Sequence, residues 1–174
     1  MILRKILVAL CVFTLSIAPL NAYWVGEETA LINQENWGPL AGDRVVFDTD
    51  NNIGYLIHEN GKQLVFPIIT GQKRYVYHLG MYYLAETPKK SWVVESFETQ
   101  WDRFTYGPEG KFFRMYVDGK ETHYGIHTHA AENIMFARED RYQSLGCPIV
   151  STQILNIIEQ TFYLNGNRLD VSTI

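Results

Sequence analysis

Cysteine is nearly missing from this sequence of 174 residues: there are two, Cys11 and Cys147, and the first lies in an apolar N-terminal segment. A chain that loses that segment keeps one thiol, so it forms no internal disulfide, and Cys147 is buried and inert, paired between chains, or reactive. Also missing are like-charge blocks of the kind that keep a tail disordered, internal repeats and low-complexity linkers, which leaves one compact domain as the default. The apolar run from Ile6 to Ile17 falls short of the roughly 20 residues that a membrane-spanning helix needs. Excess positive charge is absent too. Without residues 1–22 the chain has 13 Lys and Arg against 19 Asp and Glu, a net charge of -6, which makes it a poor partner for nucleic acid phosphates.

The first residues, MILRKILVALCVFTLSIAPLNA, place Arg4 and Lys5 ahead of the apolar run and end on the small residue Ala22 after Pro19. This is the pattern of a cleaved secretory signal over residues 1–22. It predicts an exported chain, secreted, periplasmic or held in a cell wall, with no membrane span after signal removal. Residues 23–42 show no period and read as a lead-in packed on the surface of a domain covering 43–174.

Within that domain strand signals dominate. RVVFDT (44–49) and GYLIH (54–58) are rich in β-branched and aromatic residues, and ENGK (59–62) turns the chain into QLVFPII (63–69). Further strands are predicted at 74–78, 91–97 and 113–117, with Asp118-Gly119 turning the last into 122–127, and a short strand at 168–172 closes the domain. The clear helix is STQILNIIEQTFY (151–163), whose apolar residues recur at three and four, with Ser151 or Thr152 able to cap its start. The reading is a mainly β domain, with one helix following Cys147.

Three of the five histidines lie within about 25 residues before the cysteine. His123, His127 and His129 share odd numbering, so on a strand they line one face, and imidazoles so grouped can hold zinc or copper. HxxxHxH matches no established metal motif, however, and the alternative is that one imidazole serves as base for the Cys147 thiol. A thiolate needs a cause. Cys147 precedes the helix, whose N-terminal dipole favours negative charge nearby. Gly146 lets a substrate carbonyl and backbone N–H groups approach as an oxyanion site. Pro148 removes one such donor. Ser144 reads equally as a support of the nucleophile loop and as an ordinary turn residue. His58 and His78 read as strand or turn residues, Arg138 and Arg141 as solvated loop charges or as a source of positive charge for the site, and Glu98–Gly110 as either a substrate-facing or a plain connecting loop.

Gly125-Ile126-His127 followed by Ser144-x-Gly146-Cys147 resembles the active-site signature of the L,D-transpeptidase (YkuD-type) catalytic domain. The likeness extends to Val46–Gln72, similar to the opening hairpin of that family, and to Glu86-Thr87-Pro88-Lys89 with Ser91–Val94, similar to its following TP element. The chain departs from the pattern at Leu145, where the family usually has histidine, at Thr128, in place of a small residue, and at Pro148-Ile149, in place of an apolar-Arg or apolar-Asn pair. The resemblance implies a β-sandwich or barrel-like fold, Cys147 as nucleophile, His127 as base with His129 in reserve, Gly146 and Ser144 in support, and no metal or cofactor. It also implies an exported enzyme that acylates Cys147 with the third residue of a peptidoglycan stem tetrapeptide, releases D-alanine and transfers the acyl group to an amine. Water in place of the amine makes it an L,D-carboxypeptidase, and a wall-attached lipoprotein makes it an attaching or detaching enzyme. A wall-binding homologue without turnover is the non-enzymatic alternative.

Overall fold

The structure is a computed structural model that describes residues 36–174. The signal at 1–22 and most of the lead-in at 23–42 lie outside the described residues. The elements are β1 (Arg44–Asp48), β2 (Ile53–Ile57), β3 (Gln63–Pro67), β4 (Thr70–Gly71), β5 (Arg74–His78), β6 (Met81–Ala85), β7 (Ser91–Thr99), β8 (Lys111–Val117), β9 (Lys120–His127), α1 (Glu132–Phe136), β10 (Tyr142–Ser144), α2 (Thr152–Leu164) and β11 (Leu169–Thr173).

Alternation of buried and half-buried residues along β2 and β3 fixes one face of each strand inward. Seven strands form one mixed sheet in the order β3-β2-β1-β11-β7-β8-β9. Within it β11 runs parallel to β1 and antiparallel to β7. The Asp118-Gly119 turn between β8 and β9 has positive φ at both residues, 52° and 69°, as a two-residue hairpin of this twist requires.

The edges of this sheet do not stay apart. Ile149, five residues beyond β10, forms an antiparallel bridge to Ile69 just after β3 and a parallel bridge to His127 at the end of β9. Main-chain bonds carry both contacts: Ile149 and Ile69 exchange N–H···O pairs at 2.9 Å, and Val150 N–H donates to His127 O at 3.0 Å. The sheet therefore curls into a barrel that closes at the segment following Cys147. Its interior holds Phe47, Leu56, Phe66, Val94, Phe113, Met115 and Ile126 with the apolar face of α2, where Ile154, Leu155, Ile158 and Phe162 are buried. Each such side chain contributes about 1.5–3 kcal/mol. Ser151 caps α2 by accepting from Ile154 N–H.

The opposite face of β7 and β8 carries Ser96, Glu98, Arg114 and Tyr116, with Ser96 Oγ 3.1 Å from Tyr116 Oη. A groove of about 550 Å³ is lined by Arg44, Ser91, Glu95, Tyr116, Arg168 and Asp170. Within the lead-in, Trp37 is buried and stacks on His58 at 3.9 Å, while His58 Nδ1 lies 2.6 Å from Asp43 Oδ1. That pairing ties the segment to the domain.

Candidate active site

Barrel closure dictates where the thiol lies. With His127 opposite Ile149 in parallel register, stepping back two residues on each strand sets Cys147 beside Gly125. Its Sγ lies 3.8 Å from the His123 carbonyl, to which the thiol donates, and the Gly125 backbone runs alongside it. The edge of β9 thus clasps the nucleophile by main-chain groups alone.

The preceding loop is held from three sides. Gly146 has φ 131°, and a β-carbon there would lie 2.9 Å from Tyr124 Cε1 and 3.0 Å from Glu86 O, so only glycine fits. Its N–H donates to Ser144 Oγ at 3.0 Å. Ser144, left open between two readings, is buried and braces the loop. Thr87, from the TP element, donates to the Gly146 carbonyl at 2.8 Å and accepts from Gly71 N–H at 3.0 Å. Tyr83 reaches across from β6 and donates to the Leu145 carbonyl at 3.3 Å.

The thiol is not the ready anion that the helix was expected to make it. Cys147 as a residue keeps some solvent contact, but protein atoms crowd the sulfur, and that burial pushes the thiol up to about 11, with the Gly125 N–H and the Arg114 charge opposing it. The dipole of α2 cannot offset this, because the helix starts only at Thr152 and a dipole acts within its first turn. A carboxylate already sits there: Glu132 accepts from Thr152 N–H at 3.1 Å and from Thr152 Oγ1 at 3.1 Å.

His127 is buried, with Nδ1 2.7 Å from the Thr128 carbonyl. A carbonyl only accepts, so Nδ1 carries the proton and Nε2 is left as the basic nitrogen. Burial pushes the imidazole down to about 4, the Thr128 carbonyl acting the other way. At neutral pH both partners are therefore uncharged, and among the described residues no hydrogen bond joins them. The ring packs against Tyr106 at 5.0 Å and Phe112 at 5.9 Å. Tyr106 belongs to the 98–110 loop, so this loop walls the histidine and is more than a connector. Asp102 folds the loop by accepting from the N–H groups of Phe104 and Thr105, both at 3.1 Å.

The three histidines do not line one strand face. β9 ends at His127, and His129 lies beyond it, accepting on Nδ1 from Ala131 N–H at 3.0 Å and packing edge-on to Phe104. Burial lowers its pKa, with Asp102 opposing. His58 belongs to the Asp43 pairing, His78 is exposed on β5, and Arg138 is exposed.

Sequence reasoning missed Arg114, Phe112 and Tyr83, whereas Tyr106 lay in the 98–110 segment read as substrate-facing or connecting. One signal pointed that way: a glycine inside a strand, here Gly125, marks a close approach, and the Phe112 ring occupies the space where its β-carbon would stand.

Neither a family model nor a curated protein sequence matches the chain. The fold matches an L,D-transpeptidase from Xylanimonas cellulosilytica DSM 15894 with a TM-score of 0.55 at 19% identity, over 78% of this chain and 61% of that one. It matches Bd1075 of Bdellovibrio bacteriovorus with a TM-score of 0.53 at 13% identity, over 78% of this chain and 48% of the other. The chain spans between about half and three fifths of those proteins. Mainly β, with a mixed sheet and one long helix after the cysteine, it has the L,D-transpeptidase fold.

Proposed function

We propose that the chain is an exported, cysteine-dependent L,D-transpeptidase of peptidoglycan, with residues 1–22 removed and 43–174 as the catalytic unit. The observation that carries this reading is the register at barrel closure, which brings Cys147 alongside the strand that ends in His127, within an L,D-transpeptidase fold. His127 Nε2 takes the thiol proton as Sγ attacks the carbonyl of the third stem residue. The tetrahedral oxyanion collapses, the C–N bond to D-alanine breaks, and the imidazolium returns its proton to the departing amine. An amine from a second stem, or from a wall-attached lipoprotein, then resolves the thioester. Water in its place makes the same site an L,D-carboxypeptidase. The backbone N–H of Cys147, unpaired among the described residues, is the oxyanion donor in this scheme. His127 is preferred to His129 because the Nδ1 of His129 already accepts from Ala131.

Incubation of a purified stem tetrapeptide with the protein, with and without an acceptor stem, and mass analysis of the products tests this directly. Loss of D-alanine with a cross-linked product supports transfer, and loss of D-alanine alone supports trimming. Cys147→Ala and His127→Ala abolish both, and His129→Ala is milder. A second reading, a wall-binding homologue without turnover, is favoured by the uncharged thiol and imidazole of the resting site. Under that reading Cys147 never gains the mass of an acyl group from the tetrapeptide.

A further inference from the structure

The nucleophile lacks the arginine or asparagine that the resembled family carries just after its cysteine, since Pro148 and Ile149 stand there. A cation approaches it from another direction. Arg114 on β8 pairs with Gly125 on β9, and Gly125 in turn sits beside Cys147. Arg114, Gly125 and Cys147 thus form one row across three adjacent strands, about 10 Å from end to end at ordinary strand spacing. The middle residue has no side chain.

The guanidinium is fixed. It grips Glu98 with Nε and with a second nitrogen at 2.7 Å, and donates through the third to the Thr122 carbonyl at 2.7 Å, which brings it onto β9. These bonds use three of the five N–H donors that arginine has, and Glu121 lies 3.4 Å from Nε. Its charge centre lies 5.0 Å from the Phe112 ring, the same ring that covers Gly125 and packs on His127. Glu98 holds Arg114 well above its ordinary range, and it stays charged.

Resting on the proposed function, we propose that Arg114, set by Glu98, is a positioning residue of the nucleophile: it supplies the positive charge facing Cys147 that the residues after the cysteine do not, and it holds Phe112 against His127. The other titratable groups around the sulfur are Tyr83 from β6, Tyr106 from the 98–110 loop, and Tyr124 and His127 from β9. The carboxylates of Glu98 and Glu121 pair with the guanidinium, and Glu86 lies towards Tyr124. None of these others is a permanent cation.

Two alkylating agents of different charge read this field without any substrate. Rates of carboxymethylation by anionic iodoacetate and carbamidomethylation by neutral iodoacetamide are measured on Cys147 of the full chain from pH 7 to 12, assigned by peptide mass. Arg114→Met is expected to lower the iodoacetate-to-iodoacetamide rate ratio by about threefold or more and to move the alkylation midpoint to higher pH. Arg114→Lys is expected to keep most of the ratio, and Glu98→Gln to raise it. An unchanged ratio in folded Arg114→Met overturns the proposal, as does a ratio that falls in Glu98→Gln. Should Arg114→Met not fold, Glu98→Gln decides alone. A protein that fails to turn over tetrapeptide yet shows these shifts loses the proposed function and keeps this role for Arg114. One that turns over tetrapeptide with a flat ratio does the reverse.

Discussion

A methyl group at position 146 has nowhere to go. Gly146→Ala must adopt φ 131° and push its β-carbon against Tyr124 and Glu86, so it is expected to destabilise the protein by about 2 kcal/mol or more, read by urea denaturation. Thr87→Val removes both the bond to Gly146 O and the bond from Gly71 N–H. It is expected to cost about 2 kcal/mol and to speed alkylation of Cys147 as the loop loosens. The buried imidazole sets an acid limit. His127 titrates at about 4 against 6.5 when unfolded, so between those values the unfolded chain binds the extra proton. Stability is whole above pH 6.5 and is lost progressively as pH falls towards 4, by about 3 kcal/mol in all. Urea melts over that range check it, and His127→Gln flattens the slope. The residues of this site were legible as types at known spacings: Cys147, His127, Ser144 and Gly146 do gather on one loop and one strand end. Their ionisation was not legible, because it depends on the burial of the sulfur and of the imidazole, which residues far apart in the sequence create.

Elements were read best where their period was long. The apolar recurrence through 151–163 predicted α2, whose observed range is Thr152–Leu164, and alternation predicted most of the large sheet. β4 and β10 escaped because each has only two or three residues and exists through pairing with the other. β6 escaped for a different reason. The β5–β6 turn places Leu79 at φ 48° before Gly80 at φ 83°, a conformation usually announced by Asn-Gly or Asp-Gly. Leu79→Asn is accordingly expected to stabilise this hairpin by up to about 1 kcal/mol, seen as slower amide exchange over 74–85. At the start of α2 the carboxylate of Glu132 bonds to Thr152 N–H and Oγ1. Glu132→Gln is expected to lower global stability by about 1 kcal/mol, read by urea denaturation at neutral pH.

At the scale of the whole molecule, the segment that closes the barrel is also the one that bears the thiol, so global integrity and reactivity share a structural element. Ile149→Pro, which deletes the N–H that Ile69 O accepts, is expected to open the sheet edge and cost about 3 kcal/mol or more, measured by urea denaturation. The order of strands carries one more implication. β11, Leu169–Thr173, is slotted between β1 and β7, so a nascent chain stalled on the ribosome before residue 169 has a gap in the middle of its hydrogen-bonded scaffold. Maturation must wait until synthesis has passed that point, and long-range pairing of this kind makes the final collapse slow. Until then the polypeptide stays open to chaperones.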